Sequence, residues 1–227
     1  EGELDLEGKL RFLREVDIFA QGSRLPEQRG MAPLEAMASG AAVVAPRSGI
    51  FPEVVERSGG GVLYRPEDVE ELTEAMVRLV EDAAQKAEIA ANVLQALPEW
   101  FGLPDSTANY IEEAKTLPFY ALYKDGRALG FVTRKDTARQ AAEVHCMGVL
   151  PGFHRQGLGE MLMRALEEGC KHDGLKLMQV KTVDQGHYPD SYDKTIAFYE
   201  KMGFVRLEVF PEMWDPWNPC LVLVKPL

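Results

Sequence analysis

The feature that most constrains this chain is a change of pattern near Asp82: short apolar runs alternate with helical stretches before it, and antiparallel signals take over after it. Apolar positions recur at helical spacing from Leu6 to Leu13, and Val16-Asp17-Ile18-Phe19-Ala20 reads as a short strand. Ala32 to Ala38 reads as a helix stopped by Gly40. Ala41-Ala42-Val43-Val44-Ala45 is an unbroken apolar run, as in a parallel strand buried on both faces. Pro52-Glu53 opens a short helix, Gly61 to Tyr64 is another strand, and Pro66 to Glu81 is an amphipathic helix with proline at its start. Three short strands make about half of a doubly wound sheet, so this Rossmann-like segment is incomplete by itself.

Beyond Asp82 an Ala-rich helix runs to about Ala96 and is ended by Leu97-Pro98-Glu99-Trp100-Phe101-Gly102. Phe119 to Tyr123 and Gly130 to Thr133, joined by Lys124-Asp125-Gly126-Arg127, form a hairpin, because Asp-Gly supplies the positive φ angles of a tight turn. Strands follow at Ala142 to Val149 and Leu175 to Thr182, with helices at Gly157 to Gly169 and Thr195 to Met202. Phe204 to Val209 and Leu221 to Val224 are the last strands, and such edge strands are able to pair between subunits as a homodimer. The expected class is α/β, with a partial α/β segment at 1–82 and a mixed α+β sheet with flanking helices at 83–227.

A net charge of -11 and a pI near 4.9 repel polyanions, and no cluster of Lys and Arg offsets them, so nucleic acid is not an expected partner. Cys146, Cys170 and Cys220 lack metal-ligand or paired spacing, which predicts free thiols and no metal site. No apolar stretch reaches the length of a membrane span and no signal peptide is visible, so the expected location is cytoplasmic. The chain starts at Glu1 and runs directly into amphipathic sequence, suggesting an upstream segment that was removed or never included.

The chemically informative stretch is Glu143-Val144-His145-Cys146-Met147-Gly148-Val149, then Pro151-Gly152-Phe153, then His154-Arg155-Gln156-Gly157-Leu158-Gly159 opening a helix. Glycines let backbone approach a ligand, and a helix N-terminus offers unpaired N–H groups with a positive dipole, which suits a pyrophosphate. Arg155 adds a cation for phosphate. Taken alone, Gly157 and Gly159 would equally open an ordinary helix. Together with the later Phe198-Tyr199-Glu200-Lys201-Met202-Gly203-Phe204, the arrangement resembles the GNAT N-acetyltransferases over about residues 92–227.

That resemblance implies acetyl-CoA as cosubstrate and transfer of its acetyl group to a primary amine, either a small molecule or a peptide amino group. It implies that the strand at Met147, Gly148 and Val149 splays from its neighbour to pair with pantetheine amides, while the 154–159 loop cradles the pyrophosphate. His154 stands where the family usually has Arg or Gln. Tyr199 matches the family's tyrosine near the cofactor sulfur and is the expected general acid, with a packed helix aromatic as the alternative. Strand alternation puts Glu143 and His145 on one face, where either could relay the amine proton; Glu143 is preferred, an ion pair or a satisfied interior histidine being the alternatives. The N–H of Met147 or Gly148 is the expected donor to the thioester oxygen. Trp100, Phe101, Trp214 and Trp217 are candidates for the acceptor pocket, as are His187, Tyr188 and Asp190 in the loop before the tyrosine helix.

Glu27 and Glu35, with seven residues between them including Gly30 and followed by Gly40, Val43-Val44-Ala45, Gly49 and Pro52-Glu53, resemble the end of the C-terminal domain of GT-B glycosyltransferases of family 4. In that family the first glutamate contacts the donor sugar and the second the nucleotide ribose. Gln28-Arg29 replaces the commoner Pro-Phe, and the acceptor-binding domain and the upstream half of the nucleotide domain are not in this sequence. Glycosyl transfer by this segment alone is therefore not expected. The readings kept open are a remnant or packing platform, a nucleotide-sugar site with a regulatory CoA-binding tail, and a non-catalytic acyl-CoA sensor.

Overall fold

The computed structural model describes residues 5–23, 25–188, 190–215 and 217–227; the first residues of the segment expected at 1–82 lie outside them. The chain divides into two compact units, Glu1–Gln85 and Lys86–Leu227.

In the first unit, helix α1 (Leu6–Arg14) starts where the Asp5 carboxylate accepts from the Gly8 N–H at 2.8 Å. Strands β1 (Ile18–Ala20), β2 (Ala42–Pro46) and β3 (Gly61–Tyr64) form a parallel sheet in that order. Helices α2 (Met31–Ala38) and α3 (Phe51–Ser58) are the crossovers that parallel pairing requires. Val43 and Ala45 on one face and Val44 on the other are all buried, which explains why β2 reads as a continuous apolar run.

Two corrections to the sequence expectation concern helices. The stretch read as a helix to Glu81 followed by an Ala-rich one is a single helix, α4 (Val69–Gln95). Neither Gly nor Pro interrupts it, and Ala83-Ala84 are strong helix formers. A helix not anticipated at all, α5 (Pro104–Ala114), follows the Trp100-Phe101-Gly102 stop, with Pro104 at its first turn.

The second unit is built on a six-stranded sheet of β4 (Phe119–Lys124), β5 (Arg127–Ala138), β6 (Ala141–Val149), β7 (Leu177–Val183), β8 (Val205–Phe210) and β9 (Cys220–Pro226). The spatial order is β4-β5-β6-β7-β9-β8, and all neighbours are antiparallel except β6 and β7. Asp125 and Gly126 have φ of 51° and 76°, the tight turn that their sequence demands. Helices α6 (Leu158–His172) and α7 (Tyr192–Lys201) cover one face, where Leu162, Met163, Leu166 and Ile196 pack on Val144, Met178 and Val180. The C-terminal part of α4 and the end of α5 cover the other: Val93, Leu94 and Leu97 pack with Ala114 on Leu129, Phe131 and Cys146.

Phe131 is fully buried and stacks on Phe119 with 5.1 Å between ring centroids. Phe131→Ala removes that volume from a close-packed layer and should cost about 3–5 kcal/mol. The check is the urea transition of the second unit, followed by peptides of the β4–β6 sheet in hydrogen exchange; a loss under about 1 kcal/mol would contradict the packing described.

Candidate active site

The site is made by a sheet that opens. β6 and β7 pair through Ala141↔Leu177, Ala142↔Met178 and Glu143↔Gln179, and their register goes no further. Past that point β6 continues on β5 and β7 on β9, so the backbone edge of β6 from Val144 to Val149 that faces β7 has no strand partner among the described residues. The resulting cleft has a volume of about 1560 Å³ and is lined by both diverging strands, the 153–160 loop, α7 and the Leu97–Leu103 segment.

A second irregularity shapes the cleft wall. Thr133 pairs with Cys146 but Arg134 pairs with Val144, so a bulge inserts His145 as an extra residue. The bulge exchanges the faces of β6: Val144 packs with α6 and α7, whereas Cys146 packs with α4 and α5. Simple alternation therefore fails at His145, a position where the sequence carries no bulge-marking glycine.

The loop from His154 to Gly159 wraps the start of α6. Arg155 has φ 62° and Gly157 has φ 82°, left-handed values that turn the chain sharply into the helix. The His154 Nε2–H donates to the Val149 carbonyl at 2.7 Å, and its ring stands edge-on to Trp100 at 6.1 Å. His154 thus braces the loop. Gln156 Nε2 donates to the Gly152 carbonyl at 3.2 Å. A Cβ on Gly159 would lie 3.3 Å from Met147 Cε and the Phe198 ring, and one on Gly148 would lie 2.7 Å from Val93, so both glycines permit close layer packing. Gly157, Leu158 and Gly159, at the start of α6 where a helix leaves its first N–H groups without intrahelical partners, line the cleft together with His154 and Arg155.

Tyr199 on α7 lines the cleft, is only 7% exposed, and packs on Phe198 and Phe204. Burial raises its phenol well above the ordinary range, so it holds its proton. Among the described residues its hydroxyl has no hydrogen-bond partner. The Thr182 hydroxyl, also in the cleft wall, is buried without a partner, and such an orphaned group is satisfied by a ligand or water.

Glu143 and His145 have different surroundings. The Glu143 carboxylate accepts from Lys181 Nζ at 2.6 Å and from Gln179 Nε2 at 3.3 Å, and Glu143 is not among the residues lining the cleft, although Lys181 is. His145 does line it, with Nε2 2.6 Å from Glu113 Oε2 and its ring 5.2 Å from that of Tyr110. Burial pushes the Tyr110 phenol up to about 12. Glu113 and Tyr110 escaped sequence reasoning because α5 did; Pro104-Asp105 before an apolar-spaced stretch was the available signal.

Trp100, Phe101, Trp214 and Trp217 all line the cleft, as do Tyr188 and Asp190. Trp100 Nε1 donates to Thr195 Oγ1 at 3.0 Å and the Tyr192 hydroxyl donates to the Trp100 carbonyl at 2.7 Å, tying this wall to α7. His187 is turned to its own loop, with Nδ1–H donating to the Asp184 carbonyl at 3.2 Å. In the first unit Glu27 accepts from Gln21 Nε2 at 2.8 Å and Glu35 pairs with Lys9 Nζ at 2.6 Å. Among the described residues no group of three or more His, Cys, Asp or Glu could hold a metal ion, and no helix is long and apolar enough to cross a membrane.

The family model described as "Acetyltransferase (GNAT) family" matches residues 74–204, and that described as "Glycosyl transferases group 1" matches residues 2–82. The amino-acid acetyltransferase of Azotobacter vinelandii is 27% identical over 198 residues, 82% of this chain and 44% of its own length. The chain therefore spans less than half the length of the curated relatives it matches. A GNAT-family protein from Desulfovibrio desulfuricans superposes with a TM-score of 0.56 at 16% identity, covering 63% of this chain and 92% of that one. Ard1 from Thermoplasma volcanium gives a TM-score of 0.52 at 19% identity, with 62% and 93% covered. These two likenesses concern the fold.

Proposed function

The chain belongs to the acetyltransferase (GNAT) family, and on that premise we propose that its second unit transfers an acetyl group from acetyl-CoA to a primary amine by direct attack. The observation that carries this reading is the opening between β6 and β7 beyond Glu143, placed beside the glycine-bearing start of α6. An unpaired strand edge suits the amides of a pantetheine arm, and helix N–H groups beside Arg155 suit a pyrophosphate. Acetyl-CoA supplies an acyl thioester when bound.

The chain's residues then divide the work. Met147, Gly148 and Val149 offer backbone to the arm; His154, Arg155, Gln156, Gly157, Leu158 and Gly159 form the phosphate cradle, with His154 acting as brace. A β6 N–H at Met147 or Gly148 stabilises negative charge developing on the acyl oxygen. Tyr199, kept protonated by burial, donates to the departing sulfur. Glu143, paired with Lys181, orients that ammonium in the cleft wall.

The acceptor is a small amine or a peptide amino group, held between the Trp100 wall and Trp214 and Trp217. Three buried, unbridged thiols fit a reducing compartment, and we place the protein in the cytoplasm. Glycosyl transfer is not proposed: Glu27 and Glu35 are engaged by Gln21 and Lys9, and the segment stands as a remnant of the glycosyltransferase fold.

Calorimetric titration of the whole chain with acetyl-CoA, UDP-glucose and GDP-mannose tests this assignment. Saturable heat with acetyl-CoA alone is expected. Absence of acetyl-CoA binding would overturn it, and binding of a sugar nucleotide lost on Glu35→Ala would restore a role for the first unit.

A further inference from the structure

We propose that Glu113 is a positioning residue for acetyl transfer: backed by Lys135, it holds His145 in the Nε2–H tautomer, whose free Nδ1 takes the acceptor's proton. The inference rests on the acetyltransferase reading above and extends it.

Three observations converge. The bulge inserts His145 into β6 two residues past the last β6–β7 pair, at the fork where the sheet opens, and the residue lines the cleft with its side chain only 11% exposed. The Nε2 of His145 lies 2.6 Å from Glu113 Oε2, and Glu113 Oε1 lies 2.6 Å from Lys135 Nζ, giving a chain of charge from solvent to cleft: Lys135, Glu113, His145. Finally, Nδ1 has no hydrogen-bond partner among the described residues. A carboxylate can only accept, so it fixes the proton on Nε2 and leaves the Nδ1 lone pair free. Glu113 itself does not line the cleft and acts through the imidazole, as the third member of a nucleophile–base–orienter set does.

The charged and titratable groups around the ring favour this arrangement. From α5 come Glu113 and Tyr110; burial holds the Tyr110 phenol neutral. Burial pushes Glu113 upward, but the hydrogen bonds from Lys135 and His145 outweigh it and hold its carboxyl below the ordinary range, so it stays anionic. On β6, the Cys146 thiol is kept neutral by burial, and Glu143 is neutralised by Lys181 from β7 at 2.6 Å. Glu113, which also carries the Lys135 ion pair, is therefore the carboxylate in direct contact with the imidazole.

In the step proposed, the acceptor arrives as an ammonium ion and gives one proton to His145 Nδ1, which returns it to solvent. The neutral amine forms the C–N bond as the C–S bond breaks. Tyr199 gives its proton to the departing sulfur, and the second N–H proton of the amine restores the phenol through solvent. One proton is released per turnover.

The experiment follows the His145 imidazole by long-range proton–nitrogen correlation NMR across pH, in the wild type, Glu113→Gln and Lys135→Met. In parallel, acetyl transfer from acetyl-CoA is measured across pH with free L-amino acids and a free-N-terminus tripeptide as probe amines. The wild-type imidazole should be the Nε2–H tautomer. In Glu113→Gln the imidazole should no longer be confined to the Nε2–H tautomer, because the carboxylate that accepts from it is gone, and kcat/KM should fall across its pH profile. The plateau should drop about tenfold or more, with KM for acetyl-CoA unchanged. Lys135→Met should keep the Nε2–H tautomer, since the Glu113 carboxylate that fixes it remains, a distinction between the two variants that mere packing would not produce. An imidazole indifferent to Glu113→Gln overturns the dyad, and a changed tautomer with an unchanged rate profile overturns its part in proton transfer. Failure to bind acetyl-CoA, or to acetylate any probe, overturns the acetyltransferase reading whatever the imidazole does.

Discussion

Tyr199→Phe should slow acetyl transfer by about 10²–10⁴-fold, the range a positioned acid supplies, while leaving acetyl-CoA affinity within about threefold. The expectation follows from what the phenol does and does not touch. Its ring packs among Phe198 and Phe204, contacts that phenylalanine keeps, so the α6–α7 layer should be undisturbed. Its hydroxyl has no hydrogen-bond partner among the described residues, and removing an unpaired hydroxyl costs little or nothing in stability. The loss should therefore appear in kcat and be absent from melting temperature and cosubstrate binding. The pH dependence has a defined sign. Burial raises the Tyr199 phenol, so the proton-donating form persists through neutral and mildly alkaline pH. The wild-type rate should not decline between about pH 7 and 9 through loss of this proton. A kcat within threefold of wild type would leave Tyr199 as a packing residue only.

Gly157→Val should weaken acetyl-CoA binding by about 100-fold, the equivalent of one or two lost charge-assisted hydrogen bonds. Gly157 has φ 82°, a region costly for a β-branched residue, yet a Cβ there would meet nothing within 4 Å. Gly157 lines the cleft at the start of α6, so the substitution is expected both to strain the turn and to obstruct a ligand's approach to the helix start. Stability should fall by only about 1–2 kcal/mol. Gly174→Val is the matched control: its φ is 76°, its Cβ direction is also empty, and it follows the other end of α6. Gly174→Val should lose similar stability and bind acetyl-CoA normally. Equal loss of binding in both variants would show that the effect is global, and normal binding in Gly157→Val would remove the loop from the cosubstrate site.

The features visible in sequence share a physical property: each is encoded locally. Asp125-Gly126 selects its turn through backbone preference alone, and the buried run in β2 shows parallel pairing because both faces must be apolar. The 154–159 loop is visible because Gly157 releases the chain into α6. The features that escaped depend on distant partners. The change in pattern predicts a helical break between Glu81 and Ala83, whereas α4 runs unbroken through it. Helix α5 was hidden behind an aromatic corner, and with it Tyr110 and Glu113.

The sequence by itself determined the two segments' families of pattern, the hairpin and the glycine-bearing helix start, since these rest on backbone propensity and on periodicity within about ten residues. Only the tertiary structure decided which carboxylate meets which base. Glu143 is drawn to Lys181 by the last β6–β7 pair, whereas His145 meets Glu113, 32 positions away on α5, because a bulge re-aims one side chain across the opening sheet. Strand register and layer packing set those distances, and neither is written in the spacing of the residues concerned.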